Sequence, residues 1–304
     1  MRTNYTFTVF TCTYNRAATL HRVYESLAAQ TFADFEWIVF DNGSQDNTKE
    51  LIERWAKESD FCIRYLSWPE NTGYQNTFNE CISVARGNFF LILDSDDRCV
   101  PHALERFYHL WNRIPAADKV SFSGITVLCE DQNGNLAGNR FPEDYLISNA
   151  LELEYRYKVR GEKWGFVRID ILRKYPFPKV KHHVMPHVVW HQIARRYKTL
   201  FANEILRIYY SDEQQKVGQL TAVSPEYNAT GKLIGQQAII NNNMDWFFTA
   251  PWALSKACIQ YIRFSLHADR GVIMQYRELN NGYARLLYLT LLPIGIVLYI
   301  KDKT

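Results

Sequence analysis

The sequence predicts an α/β fold, a mostly parallel sheet flanked by helices, followed by a helical C-terminal extension. Three observations carry that reading. Through the first hundred residues, apolar runs of strand length alternate with segments whose apolar residues recur every three or four positions. Repeated units of this kind put parallel strands in one sheet, because each strand returns through a helix that covers a face. Two of the apolar runs end in carboxylates, at Asp41 and at Asp94-Ser95-Asp96-Asp97. Open α/β sheets bind their ligands beyond the carboxyl ends of such strands.

Tyr5 to Thr13 reads as the first strand. Leu20, Val23, Tyr24, Leu27 and Ala28 then give one helical face. Glu36 to Asp41 is the second strand, broken by Gly43-Ser44. Asn47 with Glu50 resembles a capping box ahead of a helix carrying Leu51, Ile52, Trp55 and Ala56. A third strand runs from Phe61 to Ser67. A helix through Phe78, Cys81, Ile82 and Ala85 follows, with Gly87 expected as its C-cap. Phe89 to Leu93 is a fully buried strand, and Pro101 opens the next helix, with Leu104, Phe107, Tyr108 and Trp111 on its apolar face.

Beyond residue 115 the rhythm changes. Val120 to Cys129 reads as a strand, Asn133-Gly134 as a hairpin turn and Trp164 to Tyr175 as a mixed segment. Pro186 suits the first turn of a helix through Trp190, Ile193, Ala194 and Tyr197. Residues 211 to 245 are polar and rich in Gly and Asn, which predicts a loop or lid. From Pro251 a basic helix places Leu254, Ala257, Cys258, Tyr261 and Ile262 on one face. The predicted divisions are 1–210 (in two halves, 1–115 and 116–210), a lid or linker over 211–250, and a helical region over 251–304.

Leu286 to Ile300 is apolar except for Thr290, Pro293 and Gly295. A bilayer span needs about 20 apolar residues, so this run reads as a re-entrant or interfacial anchor, with a buried terminal helix as the alternative. Composition bounds the rest. With 304 residues, 47% hydrophobic and 22% charged, the chain has material for a large core and is not a disordered one. A net charge of +3 is too small to argue for nucleic acid, and no nucleic-acid partner is expected. Six scattered cysteines without a C-x-x-C pair suit a reduced compartment. Met1 to Asn4 leads straight into a strand pattern, so no signal peptide is expected. The expected location is cytoplasmic, peripherally on the inner face of the cell membrane.

The chemistry lies in the carboxylates. Asp94 and Asp96 are hard oxygen ligands that suit Mn²⁺ or Mg²⁺ against a diphosphate. The alternative is a solvated loop with a helix-capping Asp. The context of Asp94-x-Asp96 favours the metal. Thr11-Cys12-Thr13-Tyr14-Asn15-Arg16, Asp41-Asn42-Gly43-Ser44-x-Asp46-x-Thr48, Gly73 with Asn79, Ala85-Arg86-Gly87 and Leu93 to Asp97 occur in one order. Over residues 5 to 115 this chain resembles the family-2 glycosyltransferases of the GT-A (Rossmann-like) fold. The resemblance implies that Asp41 reads the nucleotide base, with Thr11, Tyr14 and Arg16 near the nucleoside. It implies that Gly73, Asn79 and Ser95 belong to the donor site, and that Asp94 and Asp96 bind the diphosphate of a UDP- or GDP-sugar through a metal. Asn42 stands where the family often has a second Asp, and Phe78 where many members have Arg.

The second half resembles a bacterial subset, on Gly161-Glu162-Lys163-Trp164, Arg173 to Pro178, and Pro186 to Trp190. There His187 takes the place of the acidic residue the family uses as catalytic base. It reads as the base of an inverting transfer, as a mark of altered activity, or as a structural residue. His183, His187 and His191 also have the four-residue spacing of metal ligands, which Pro186 interrupts. Glu162 and Asp170 are fallback bases. Lys163, Trp164 and Arg168 read either as an acceptor surface or as core. Tyr209-Tyr210-Ser211-Asp212 is expected to open the lid. The function implied is metal-dependent inverting transfer from a nucleotide-sugar to a glycan or lipid-linked acceptor in surface polysaccharide assembly. The alternatives are a catalytically altered nucleotide- or glycan-binding protein, or a sugar nucleotidyltransferase. The latter would want a Gly-rich loop that residues 11 to 18 lack.

Overall fold

The computed structural model describes residues 4–180, 183–210 and 228–303. The chain divides into two compact units, Met1–Lys179 with Gln192–Ser211, and Val180–His191 with Asp212–Thr304.

The first unit opens with β1 (Tyr5–Thr13), α1 (His21–Ala28), β2 (Phe35–Asn42), α2 (Thr48–Glu58), β3 (Cys62–Trp68), α3 (Tyr74–Val84) and β4 (Gly87–Ile92). All neighbours in the order β3-β2-β1-β4 pair in parallel. Every residue of β2 is buried, as a strand covered by helices on both faces must be. Register places Thr13 beside Asp41, and Asp41 beside Ser67, so these strand ends share one edge.

Two details depart from the sequence reading. Asn47 makes no side-chain cap. Asp46 takes that part, accepting from Thr48 N and Thr48 Oγ1. Gly87 does not end α3, whose C-cap is Ala85. It begins β4, where a Cβ would stand 2.3 Å from Thr8 N of β1.

Then come β5 (Arg98–Cys99), α4 (Ala103–Asn112), β6 (Phe122–Asp131), β7 (Tyr145–Ser148), α5 (Ala150–Tyr155), β8 (Lys163–Arg168), α6 (Ile169–Leu172), α7 (His187–Ala194) and β9 (Lys198–Tyr209). Here the sheet becomes mixed: β8 is antiparallel to β4 and β6, while β9 is parallel to β6 and antiparallel to β5 and β7. Asp131 accepts from Asn133 N and Asn135 N around the expected Gly134 turn. Phe7, Phe89, Phe107, Trp111 and Phe166 interlock edge-on or tilted in the main core. β9, twelve residues long, is absent from the sequence reading.

The second unit contains α8 (Ala229–Asn242), α9 (Pro251–His267), α10 (Val272–Arg277) and α11 (Gly282–Lys303). All five apolar residues expected on the inner face of α9 are buried. The loop expected within 211–245 is a helix where it is described, over Ala229–Asn242, and 211–227 lie outside the described residues. Gly231 and Gly235 lower the intrinsic helix propensity of α8, but they allow close approach. A Cβ at 231 would meet His183 O at 2.0 Å.

Pro293 does not end α11. A mid-helix proline costs about 3 kcal/mol, which docking on α9 offsets. Gly295 closes on Ile262, Tyr288 is buried with its hydroxyl on Val272 O, and Asp302 accepts from both Arg263 and His267. By length and composition alone α11 is apolar enough to cross a membrane.

Candidate functional site

The loops after β1 and β2 are stitched together, which explains why their motifs occur as a set. Asn15 adopts φ 53°, a left-handed conformation that Asn tolerates. Its N–H donates to Ser44 Oγ and its Oδ1 accepts from Gln45 N. Asp46 accepts from Ala17 N. Gly43, at φ 91°, has the Glu70 backbone where a Cβ would lie, at 2.9 Å. Asn42 accepts from Thr72 N and donates to Asn71 Oδ1, so the residue that departs from the family pattern ties down the loop after β3.

Asp41 ends β2 with 2% exposure. Its Oδ1 accepts from Ser44 N at 2.8 Å and its Oδ2 from the Tyr65 hydroxyl at 2.8 Å. Burial, followed by the neighbouring Asp41, pushes the Tyr65 hydroxyl well above the ordinary tyrosine range. Each carboxylate oxygen keeps a second lone pair for a ligand N–H.

The acidic cluster follows β4, and the residue that organises it was missing from the sequence reading. Arg207 of β9, 5% exposed, donates through Nε to Asp97 Oδ2 at 2.8 Å and through Nη2 to both Asp97 and Asp94. Asp97 Oδ1 accepts from Tyr210 N. Burial pushes the Asp97 carboxyl up to about 7, with Arg207 opposing. Burial also works against the charge of Arg207, but Asp94 and Asp97 hold its guanidinium above the ordinary arginine value. The Asp96 carboxyl is raised by burial and then by Asp94, with Arg16 Nη1 opposing from 3.9 Å. From the turn before α1, Thr19 Oγ1 donates to Ser95 O; from α1, Arg22 Nη1 donates to Asp96 O, and the Arg22 guanidinium lies over the Tyr210 ring. The available signal for Arg207 was a charge between Leu206 and Ile208 in an apolar run, since a buried charge needs a partner.

The structure thus gathers Asp94, Asp96, Arg16 and Ser95 at one place and sets Asp41 on the same sheet edge, with Tyr14 half-exposed in the stitched loop. It takes other predicted residues away. Thr11 is fully buried, donating to Leu93 O and accepting from Trp37 Nε1. Asn79 spends its amide on the Phe177 backbone, as donor and as acceptor. Gly73 is the N-cap of α3 at φ 91°, a conformation that suits glycine. Phe78 is a core residue packed edge-on against Phe90 and Phe177.

The acceptor-surface reading is likewise overturned at Trp164, which is buried against Phe107 with its indole N–H on Ile92 O. Arg168 grips the carboxylate of Asp170 and the carbonyl of Lys119. His187, the first residue of α7, belongs to the second unit, where its Nε2 lies 3.0 Å from Gly235 O. His191 Nδ1 is 2.9 Å from Asn243 Nδ2. Among the described residues no three His, Cys, Asp or Glu side chains form a metal cluster. The donor chemistry of Asp94 and Asp96 still fits Mg²⁺ or Mn²⁺, which take one or two carboxylates and complete their shell with phosphate and water.

A parallel α/β edge carrying acidic and guanidinium side chains is the ligand edge of a nucleotide-binding fold. Glycosyl transferase family 2 matches residues 8–166, more than half of the chain, and the chain belongs to that family. An uncharacterized glycosyltransferase of Methanocaldococcus jannaschii is 27% identical over 204 residues, 66% of this chain and 69% of the relative. The undecaprenol-linked GalNAc(5)-diNAcBac beta-1,3-glucosyltransferase of Campylobacter jejuni is 33% identical over 92 residues, 30% of each chain. Many of the curated relatives are thus matched over less than half of their length, as here. Among solved structures, S. aureus TarS in complex with UDP-GlcNAc has a TM-score of 0.66 at 18% identity, covering 97% of this chain and 88% of TarS. The Pyrobaculum calidifontis mannosyltransferase with GDP-Man and Mn²⁺ has a TM-score of 0.56 at 15% identity, covering 99% of this chain and 82% of that one. These likenesses establish the GT-A fold.

Arg207→Met strands two carboxylates, one of them buried. Urea titration is expected to show a loss of about 3–5 kcal/mol, partly recovered by adding Asp97→Asn. Losing the cation raises the folded-state pKa of Asp97 further above its unfolded value. The folded state then keeps a proton that the unfolded state has released, so the deficit should be smaller at pH 5.5 than at pH 8.

Proposed function

We propose that this family-2 glycosyltransferase is a metal-dependent, inverting enzyme. Its donor is a UDP- or GDP-sugar, and its acceptor is a glycan or lipid-linked glycan in surface polysaccharide assembly at the cytosolic membrane face. The observation that carries the reading is the strand edge holding Asp41, Asp94 and Asp96 together with Arg16. Structural neighbours that bind UDP-GlcNAc and GDP-Man with Mn²⁺ support it, as does the undecaprenol-linked substrate in the name of one relative.

In this reading Asp41 accepts a hydrogen bond from the nucleotide base, and the loop carrying Tyr14 flanks the nucleoside. Asp94 and Asp96 hold Mn²⁺ or Mg²⁺, which when bound neutralises the diphosphate leaving group. Arg207 keeps the Asp94 carboxylate in place, and Arg16 adds positive charge where the departing diphosphate accumulates negative charge. His187 takes the proton of the acceptor hydroxyl. Because Gly235 O can only accept, Nε2 carries a proton and Nδ1 is the basic nitrogen. That commitment of Nε2 also favours a second reading, a donor-binding protein with altered transfer.

Peripheral membrane association is assigned to the outward face of α11, where Leu286, Leu289, Ile294, Val297 and Ile300 are exposed.

Asp96→Ala is expected to remove the additional thermal stabilisation that Mn²⁺ gives with UDP or GDP, and to cut transfer about 100-fold or more. Unchanged Mn²⁺ dependence would remove the metal role. His187→Ala should slow transfer by about 10²–10⁴-fold with nucleotide affinity retained; equal rates would make His187 structural. Leu289→Ser with Val297→Ser should move the protein out of the floating fraction in vesicle flotation, and persistent flotation would refute assignment to this face.

A further inference from the structure

The second unit contains a groove of about 720 Å³ between residues 241–248 and the N-terminal half of α11. Met244, Phe247, Phe248, Tyr283, Leu286 and Leu287 form its apolar lining. Of its polar lining, Asn241, Asn281 and Thr290 are occupied by the protein itself, while Asn242 and the carboxylate of Asp245 also border it. Asn241 donates to Glu278 O and accepts from Asn280 N. Asn281 donates to Ile240 O and accepts from Ala284 N, and Thr290 Oγ1 donates back to Leu286 O and Leu287 O. A sugar or an extended peptide entering here would leave its own polar groups without partners, which is costly. A hydrocarbon chain would not. The volume lies within the range of single-ligand sites.

Charge selects the kind of hydrocarbon. Residues 228–304 carry eight Lys and Arg against four Asp and Glu, whereas the preceding 227 residues carry 27 against 28. The whole positive excess of the chain therefore lies in this unit. Among the described residues, twelve of the eighteen exposed large hydrophobic side chains lie in this unit too, including Phe248 at 92% and Trp252 at 78%. A second copy of the chain would bring like charge against like. An apolar surface on a unit of net positive charge matches an anionic lipid surface, whose phosphates neutralise the cations while its chains cover the apolar atoms. Leu286 and Tyr283 belong both to the groove and to the exposed row of α11, so the groove opens onto that row.

From this we infer that the groove takes one hydrocarbon chain of an anionic bilayer lipid, seating the helical unit on the membrane by a bound lipid as well as by the α11 row. The inference rests on the membrane reading above and deepens it.

The test uses the full chain and dansyl-undecanoic acid as a fluorescent probe. Saturable binding is expected, competed by dispersed phosphatidylglycerol and not by phosphatidylcholine. Leu287→Trp, which fills the groove, and Phe248→Ser, which removes a largely exposed wall resting edge-on against Phe247, should each weaken probe binding by about tenfold or more. The Leu289→Ser, Val297→Ser variant should retain probe affinity while losing flotation on phosphatidylglycerol vesicles. Non-saturable binding, equal competition by phosphatidylcholine, or unchanged affinity in both groove variants overturns the site. Displacement by a polyprenyl phosphate alone would assign the groove to the acceptor and overturn it equally. Flotation that persists while the probe fails to bind leaves the membrane reading standing and removes only the groove. Nucleotide-induced thermal shifts, which do not involve this unit's groove, report the donor reading separately.

Discussion

Three carboxylates in four residues repel one another, and the end of β4 tolerates them because Arg207 reaches across from β9. One guanidinium holds Oδ2 of the buried Asp97 twice over and still touches Asp94. A planar donor fork can do this and a lysine ammonium cannot, since it lacks the fixed geometry to serve two carboxylates at once. The pair also closes the topology. Asp97 accepts from Tyr210 N, so the exit of the last strand is joined to the loop that follows the fourth. The mixed half of the sheet is therefore a structural part of the edge that carries the aspartates.

The remaining acids divide by their surroundings. Asp97 is fully buried and spent on structure, whereas Asp94 keeps a side chain about half exposed, at 49%, with only one oxygen on Arg207. Asp96 faces Arg16 at a distance beyond a direct hydrogen bond. The two partly exposed acids are the ones with a face left for a ligand, and the buried one orients the cation that steadies Asp94.

How much of this was legible follows from locality. β1 to β4 were readable because strands covered on both faces become apolar runs, and the helices between them keep a 3.6-residue stripe. The site motifs were readable as an ordered set, but not their division of labour. Thr11 and Asn79 turned out to hold the core and the Phe177 segment, since a hydroxyl or amide near a site serves the backbone as readily as a ligand. Asp46 displaced Asn47 as the cap because it also reaches Ala17, a contact invisible to a local pattern. Arg207 could not be assigned locally, since its partners lie 110 residues and more away. In α8, glycines and amides concealed a helix whose stability comes from close contacts with 183–187 and α9, which override propensity.

The departures from the family pattern acquire a physical logic from these contacts. Phe78 replaces a cation frequent in relatives, and it is sealed among Phe10, Phe90 and Phe177, so no charge could occupy that point without losing the packing. Positive charge at the donor edge comes instead from Arg16, Arg22 and Arg207. Two of these are already engaged, Arg22 with Asp96 O and the Tyr210 ring, Arg207 with two aspartates. Arg16, partly exposed and 3.9 Å from Asp96, is the guanidinium with room to turn toward a phosphate. His187 shows the same economy on the other unit. A carboxylate in its place would face the Gly235 carbonyl and be repelled, because both groups only accept. An imidazole can donate Nε2–H there and keep its lone pair on Nδ1. A histidine at this position is thus compatible with the carbonyl of α8, where an ionised acid would not be.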